Sequence, residues 1–326
     1  MSDERETSYA FAVARIRALE GNLLDRDFLE QMIAAKDVSD CMQMLADRGW
    51  GGRERELPPE ELLSFEAERT KEELEGLLDD TSALEIIKVP DLYHNLKAAV
   101  KDSLTQGSFE PAYLPGTEPS GQKMREIILS QDYQALPGEL GAVAKEAYET
   151  LLHTRDGQLC DILVDRAALQ AMYDAAMSSD EPVIRDYGRT LVDVADIRIA
   201  VRACRTGKNA DFFRQAMVRT ESIDPEEAAK ASASGEEALF DYLRRTRFSE
   251  AVDALEISQS AFECWCDDRV IESIRPQLYQ SFTMGPVIAW SIAREMEIKT
   301  VRIILTGKAN GLTDEAIRER MRETYV

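Results

Sequence analysis

Apolar residues recur along this chain at intervals of three and four, the spacing of one face of an α-helix. In "SYAFAVARIRALEGNLL", Tyr9, Val13, Ile16, Leu19 and Leu23 share one stripe, while Arg15 and Arg17 fall off it. Gly21 interrupts the run, and two short helical patterns follow, for which Asp25 and Ser39 are the expected N-caps. Glycines 49, 51 and 52 close that segment. Residues 60–79 predict an amphipathic helix with Leu62, Leu63, Leu74, Leu77 and Leu78 on its buried side and a solvated acidic remainder. Runs that alternate with the period of a strand are scarce, so the pattern predicts an all-α protein.

Two stretches break the pattern. "GSFEPAYLPGTEPSG", residues 107–121, carries Pro111, Pro115 and Pro119 and cannot form a regular helix. "TESIDPEEAAKASASGEEA", residues 220–238, is small and polar and reads as loop-prone around Pro225 and Gly235. The expected division is into three helical repeats, residues 1–115, 116–222 and 223–326, each near the size of an ordinary domain.

The chain also echoes itself. Residues 196–208, "DIRIAVRACRTGK", align with 296–308, "MEIKTVRIILTGK", and "NLKAAVKDSLTQG" at 95–107 is a fainter third copy. Upstream, Cys160-Asp161 matches Cys266-Asp267, and "PVIRDY" from Pro182 matches "PVIAW" from Pro286, with an interval to the T-G-K that differs by four residues, about one helical turn. The expectation is a helix stopped by a glycine at positive φ, Gly207 in one copy and Gly307 in the other. Ile197, Val201 and Cys204, and likewise Ile298, Val301 and Leu305, form the apolar stripes of these helices. Basic pairs share another face: Lys97 with Lys101, Arg198 with Arg202, and Lys299 with Arg302. Such cations either line a partner interface or pair with carboxylates inside each bundle, and the second is the commoner fate.

A T-G-K tripeptide invites comparison with a phosphate-binding loop. That loop needs G-x-x-x-x-G-K-[ST] between a strand and a helix, and here Arg302 stands five residues before Gly307 while Ala309 follows the lysine. The copy at 206–208 departs likewise, with Arg202 and Asn209.

Composition narrows the possibilities. The 326 residues are 44% hydrophobic, enough for a sizeable core, and carry a formal charge of −22, which disfavours nucleic acid as a partner. The start, "MSDERETSYA", resembles neither a signal nor a transit peptide, and apolar runs such as "VIAWSIA" at 287–293 are far too short to span a bilayer. Five scattered cysteines suit a reducing compartment. His94 and His153 lack any metal or catalytic motif around them. Cys264-Trp265-Cys266 would point its sulfurs to opposite sides of a helix, which favours packing over metal ligation. Trp50, Trp265 and Trp290 read as core or interface anchors, and acidic pairs such as Glu72-Glu73 and Asp79-Asp80 as solvated. No catalytic, cofactor or metal constellation is expected.

The last segment carries more than the repeat requires. "AREMEIKTVRIILTGKANGLTDEAIRERMRETYV", 293–326, resembles the C-terminal signature of a rotary ATPase family, that of the C subunits of V-type and A-type machines, whose eukaryotic members are called d. "YAFAVARIRALEGNLLDRDFLEQMIAAK" resembles the family's opening and "DIRIAVRACRTGK" its second repeat. Lys299-Thr300 departs from the asparagine often found there, and Asn209 after the second T-G-K departs from a clear stop. The resemblance implies three pseudo-threefold-related helical bundles forming a funnel, with no catalytic centre and no cofactor. It implies a central-stalk component on the cytoplasmic face of the membrane, peripheral to it, between the axle (subunits D and F) and the membrane rotor ring. Torque coupled to proton or sodium transport would pass through it. Lys97, Lys101, Arg198, Arg202, Lys299 and Arg302 are the candidate interface residues. The competing expectation is a soluble helical scaffold or regulatory adaptor of another complex.

Overall fold

The computed structural model describes residues 2–52, 57–77, 85–105, 113–281 and 283–326, and among these every regular element is helical. Leu78, Asp79, Asp80, Gly107 and Pro111 lie outside the described residues. The helices are α1 (Ser2–Glu20), α2 (Arg26–Ala34), α3 (Val38–Asp47), α4 (Pro59–Glu75), α5 (Glu85–Thr105), α6 (Gly121–Ser130), α7 (Leu140–Thr154) and α8 (Gly157–Ser178). They continue with α9 (Pro182–Arg205), α10 (Ala210–Ala216), α11 (Pro225–Ala233), α12 (Glu236–Arg244), α13 (Glu250–Ile257), α14 (Gln259–Ile274), α15 (Gly285–Ala309) and α16 (Asp314–Arg318).

Contacts gather these helices into two compact units. A terminal unit is made from Met1–Ala83, Asp180–Thr190 and Phe248–Val326, and a middle unit from Leu84–Ser179 and Leu191–Arg247. Helix α9 contributes its start to the first and its remainder to the second. In the terminal unit, Phe28, Leu29, Met32 and Ile33 of α2, Leu62 and Leu63 of α4, and Val301, Ile304 and Leu305 of α15 share one core. In the middle unit, Leu96, Ala99 and Val100 of α5 pack with Met124 and Ile128 of α6, Ala144 and Ala147 of α7, and Cys160 and Val164 of α8. Full burial of one such aliphatic side chain contributes about 1.5–3 kcal/mol, so these cores dominate the stability of each unit.

Local signals set most helix boundaries. Asp25 caps α2 by accepting the Phe28 N–H at 2.8 Å, as the sequence predicts. For α3 the cap is Asp37, which accepts the Asp40 N–H at 3.1 Å, and the expected Ser39 lies inside the helix. The longer reach of the Asp37 carboxylate takes the orphan N–H, and the helix starts two residues earlier than the sequence suggests. Most of the stretch at 220–238 is helical rather than loop. Asp224 caps α11, Pro225 occupies its first turn with Glu226 and Glu227, and the alanines that follow are strong helix formers. Only the approach to Asp224 and the step through Gly235, at φ 111°, are irregular.

The two glycine stops hold the clearest correction. Helix α9 ends as expected: Gly207 has φ 64°, the Lys208 N–H bonds the Ala203 carbonyl at 2.9 Å, and the Gly207 N–H bonds the Cys204 carbonyl at 3.1 Å. This pair of bonds is the Schellman arrangement. Helix α15 runs straight through Gly307 and makes the same arrangement one turn later. Gly311 has φ 67°, and Leu312 and Gly311 donate to the carbonyls of Gly307 and Lys308 at 3.0 and 3.1 Å. Gly307 is small for a different reason: a Cβ there would stand 2.7 Å from Cγ1 of Ile317 on α16. Counted from the proline that opens each helix, Gly207 lies 25 residues after Pro182 and Gly311 lies 25 after Pro286. The two helices therefore align in register without the four-residue gap that aligning the tripeptides requires.

Candidate functional site: charged faces and buried charge networks

The fold treats the six candidate cations unequally. Lys97 and Lys101 of α5 reach across to Asp165 and Asp161 of α8, each at 2.6 Å. Lys299 of α15 pairs with Asp267 of α14 at 2.6 Å, and Arg302 with Glu60 of α4 at 3.3 Å. The matched Cys-Asp steps thus do the same job twice: Cys160 and Cys266 are buried, and the aspartate beside each holds a lysine of the neighbouring long helix. Arg198 is half-buried, whereas Arg202 is exposed and meets no carboxylate among the described residues.

The two T-G-K lysines also part ways. Lys308, almost entirely buried, donates to the Ala35 carbonyl at 2.7 Å and to Asp314 at 2.8 Å. Lys208 is exposed over the Phe212 ring at 5.4 Å. Both tripeptides sit at or near the C-terminal ends of helices, where carbonyls rather than N–H groups are left over, so neither cradles a phosphate.

One acid of the 60–79 helix expected to face solvent is instead buried in the terminal unit. Glu66 of α4 is fully buried. It accepts the Gly51 N–H at 2.8 Å, Arg294 Nη2 at 2.7 Å and Arg69 Nη2 at 2.7 Å. Arg294 also donates to Glu297 and to Thr70 Oγ1, and lies 5.0 Å from the centroid of the Trp50 ring. Glu297 in turn accepts the Leu24 N–H. One guanidinium thereby ties α4, α15 and the segment between α1 and α2. Burial raises the Glu297 pKa, and Arg294 and the Leu24 N–H work against that rise. A signal for this network was present: Glu66 falls on the stripe of Leu62, Leu63, Thr70 and Leu74, where an acid has no solvent to face.

The middle unit has its own buried carboxylates. Asp193 is fully buried, accepts Thr220 Oγ1, and meets Arg247 Nη2 at 3.1 Å. Asp196, also fully buried, accepts the Val218 N–H at 3.2 Å. Burial pushes the Asp196 carboxyl well above its ordinary range. The Val218 N–H lowers it, Asp193 adds to the rise, and the charge of Arg166 opposes it. Asp193 is raised as well, again by burial, with Thr220 and Arg247 opposing.

The C-terminal segment after α16 is pinned rather than helical. Arg322 donates to Asp267 at 2.7 Å and to Cys264 Sγ at 3.0 Å. The Glu323 N–H bonds Asp268 at 2.7 Å, Arg275 holds the Thr324 carbonyl at 2.8 Å, and Tyr325 is buried. Burial raises the Asp268 carboxyl to about 6, the Glu323 N–H lowering it and the Glu323 carboxylate adding to the rise. Asp267 is held below its usual range: burial alone would raise it, and Lys299 with Arg322 outweighs that.

The remaining candidates are structural or exposed. Trp50, Trp290 and Tyr187 are buried, and Trp265 stacks on Phe262 at 6.0 Å. His94 and His153 are exposed. Among the described residues no cluster of three His, Cys, Asp or Glu side chains is placed to hold a metal ion, and no helix is long and apolar enough to cross a membrane.

The signature at 293–326 thus supplies Arg294, Glu297, Lys308, Gly311 and Arg322 to the packing of one unit, and known proteins align with nearly the whole chain. The C subunit of a V-type sodium ATPase from Enterococcus hirae is 24% identical over 95% of this chain and 97% of its own length. The C subunit of a V-type ATP synthase from Thermus thermophilus is 25% identical over 96% and 98%. The C subunit of an A-type ATP synthase from Methanocaldococcus jannaschii is 24% identical over 95% and 85%. The family model described as ATP synthase (C/AC39) subunit matches residues 12–320, and this chain belongs to that family.

Proposed function

We propose that this chain is the non-catalytic central-stalk component of a V/A-type rotary ATPase. It links the axle, subunits D and F, to the membrane rotor ring on the cytoplasmic face and transmits torque coupled to proton or sodium transport. The observation that carries this reading is the family match across residues 12–320, together with relatives of nearly equal length that are named as the C subunits of such machines. The proposed architecture is a funnel of three pseudo-threefold-related bundles, residues 1–115, 116–222 and 223–326, and of the six candidate cations Arg202, which meets no carboxylate among the described residues, is the one best placed to face a partner. A torque coupler must resist deformation. Helices tied by buried ion pairs, as Arg294 ties α4 to α15, meet that need.

The test is isolation of the intact membrane assembly through a tag on this chain. Subunits D and F and the ring should be recovered with it. Assemblies lacking it should keep ATP hydrolysis in the soluble head and lose ion pumping. Recovery of a lone monomer, or of partners belonging to another complex, would overturn the proposal in favour of a helical scaffold. ATP hydrolysis by the purified chain would overturn its non-catalytic part.

A further inference from the structure

We propose that the C-terminal end of α9, with Arg202 and Lys208 at its centre, is a docking face for an acidic segment of a protein partner. The inference rests on the reading of the chain as one piece of a larger assembly, and it names the chemistry of one contact. Between Ile197 and Ala210 the sequence has four cations, Arg198, Arg202, Arg205 and Lys208, and no carboxylate. Cations in such a stretch must find carboxylates on other segments, as Lys299, Arg302 and Lys308 do from the carboxylate-free run 298–313. In a chain with 61 acidic and 39 basic residues a cation is readily neutralised within the fold, and Lys97, Lys101, Lys299 and Arg302 are. Arg202 is not neutralised among the described residues, although it is exposed and its neighbour Arg205 finds Glu236 at 2.6 Å.

The Schellman turn completes the face. Gly207, at φ 64°, reverses the chain so that Thr206, Lys208 and Asn209 are all exposed. The comparison with Lys308 is informative. There the lysine of the same tripeptide is consumed by the Ala35 carbonyl and Asp314. Among the described residues Lys208 has only an aromatic ring beneath it and keeps its three donors for a partner. Cations at a helix C-terminus also offset the helix dipole. The cations near the end of α15 fill that role and still find carboxylates within the fold, whereas Arg202 finds none among the described residues. A planar guanidinium and an ammonium held on rigid backbone suit carboxylates on a helix or turn. The chain's charge of −22 repels an extended polyanion such as a phosphate backbone or an anionic bilayer, whereas a short acidic segment engages this face locally.

The experiment uses the full chain and its Arg202→Glu/Lys208→Glu variant, with Lys123→Glu/Lys145→Glu as a charge-matched control on the exposed lysines of α6 and α7. The probe is a polyglutamate peptide about three helical turns long, titrated calorimetrically, with inorganic phosphate and phosphatidylserine vesicles as further arms. Circular dichroism and melting confirm that each variant is folded. The expected result is polyglutamate binding that weakens on the order of tenfold in the Arg202/Lys208 variant, is unchanged in the control, and declines with salt. Equal binding by all three proteins, no binding by the wild type, or tighter binding of vesicles or phosphate than of the peptide overturns the proposal. The assembly is tested separately, by tag recovery of the native complex. If the wild type and the Arg202/Lys208 variant recover it equally at every salt concentration, the docking face is wrong and the central-stalk reading stands. If the wild type recovers no ATPase components, that reading fails, and the peptide result still judges the face.

Discussion

Helices α9 and α15 place a buried carboxylate at the same distance from their opening prolines, Asp193 eleven residues after Pro182 and Glu297 eleven after Pro286. Each is paired with an arginine and each accepts a hydrogen bond from a crossing segment. One turn on, the two diverge. Where α15 has Thr300, whose hydroxyl bonds its own helix at the Met296 carbonyl, α9 has Asp196, a second buried acid. In the terminal unit, Arg294 and Arg69 offset the buried Glu66 and Glu297. In the middle unit the second acid is held by a backbone N–H, with an arginine charge only at longer range. The same helical frame therefore supports two electrostatic solutions: a compensated network, and a carboxyl that keeps its proton to higher pH.

Removing the compensating charge should give the largest effect. Arg294→Met leaves two buried carboxylates without their main partner and should cost about 3–5 kcal/mol in denaturant unfolding. Arg302→Met, at an exposed pair, should cost under about 1 kcal/mol. Equal losses for the two would remove the distinction between the network and an ordinary surface pair.

The glycines sharpen the register that the comparison rests on. Gly307→Ala drives a methyl against Ile317 and should cost about 1–3 kcal/mol, with part recovered by Ile317→Val. Gly207→Ala and Gly311→Ala should each cost about 1–2 kcal/mol through positive φ alone, because Cβ at either meets nothing within 4 Å. Rescue of Gly207→Ala by a neighbouring truncation would contradict the assignment.

Smaller effects come from the raised carboxyls. A folded-state pKa above the unfolded one means that the folded protein binds the proton more tightly. Stability from this group is then complete below about pH 4 and is lost as pH rises through the folded value. Asp196→Asn, which can still accept the Val218 N–H, should melt a few degrees above wild type at about pH 8, with the gap closing toward about pH 4. A pH-independent gap would show that Asp196 is ionised in the folded protein. Asp268 should follow the same sign with a midpoint at about 6, readable by carboxyl NMR, and Asp268→Asn should have the mildest effect because its loss is confined to the last residues. A carboxyl titrating at about 4 would remove it from this class.

Apolar periodicity predicts the helices seen among the described residues and the stripes that form the cores, while the N-cap signal and the internal repeat predict the Asp25 cap and the stop at Gly207. The small, polar residues around Pro225 and Gly235 read as loop-prone, yet the helix-start signal of Asp224-Pro225 prevails, and of these two points only the step at Gly235 is irregular. The T-G-K tripeptides align by identity of letters, whereas positive φ follows the turn of the backbone, at Gly207 in α9 and at Gly311 in α15. The candidate cations were visible as helix-face pairs, but their fates were not. A lysine's partner lies on another helix, and Asp165 and Asp161 are far from Lys97 and Lys101 in sequence.

What the sequence determined by itself is local and periodic: which residues coil, which side of each coil is apolar, and which family the linear signature resembles. What only the tertiary structure decided is which charges are buried, which are neutralised and which stay outside. Helix formation depends on neighbours three and four residues away, so a linear string encodes it directly. The state of a charge depends on solvent and on counter-charges brought in from distant segments, and these come together only on folding.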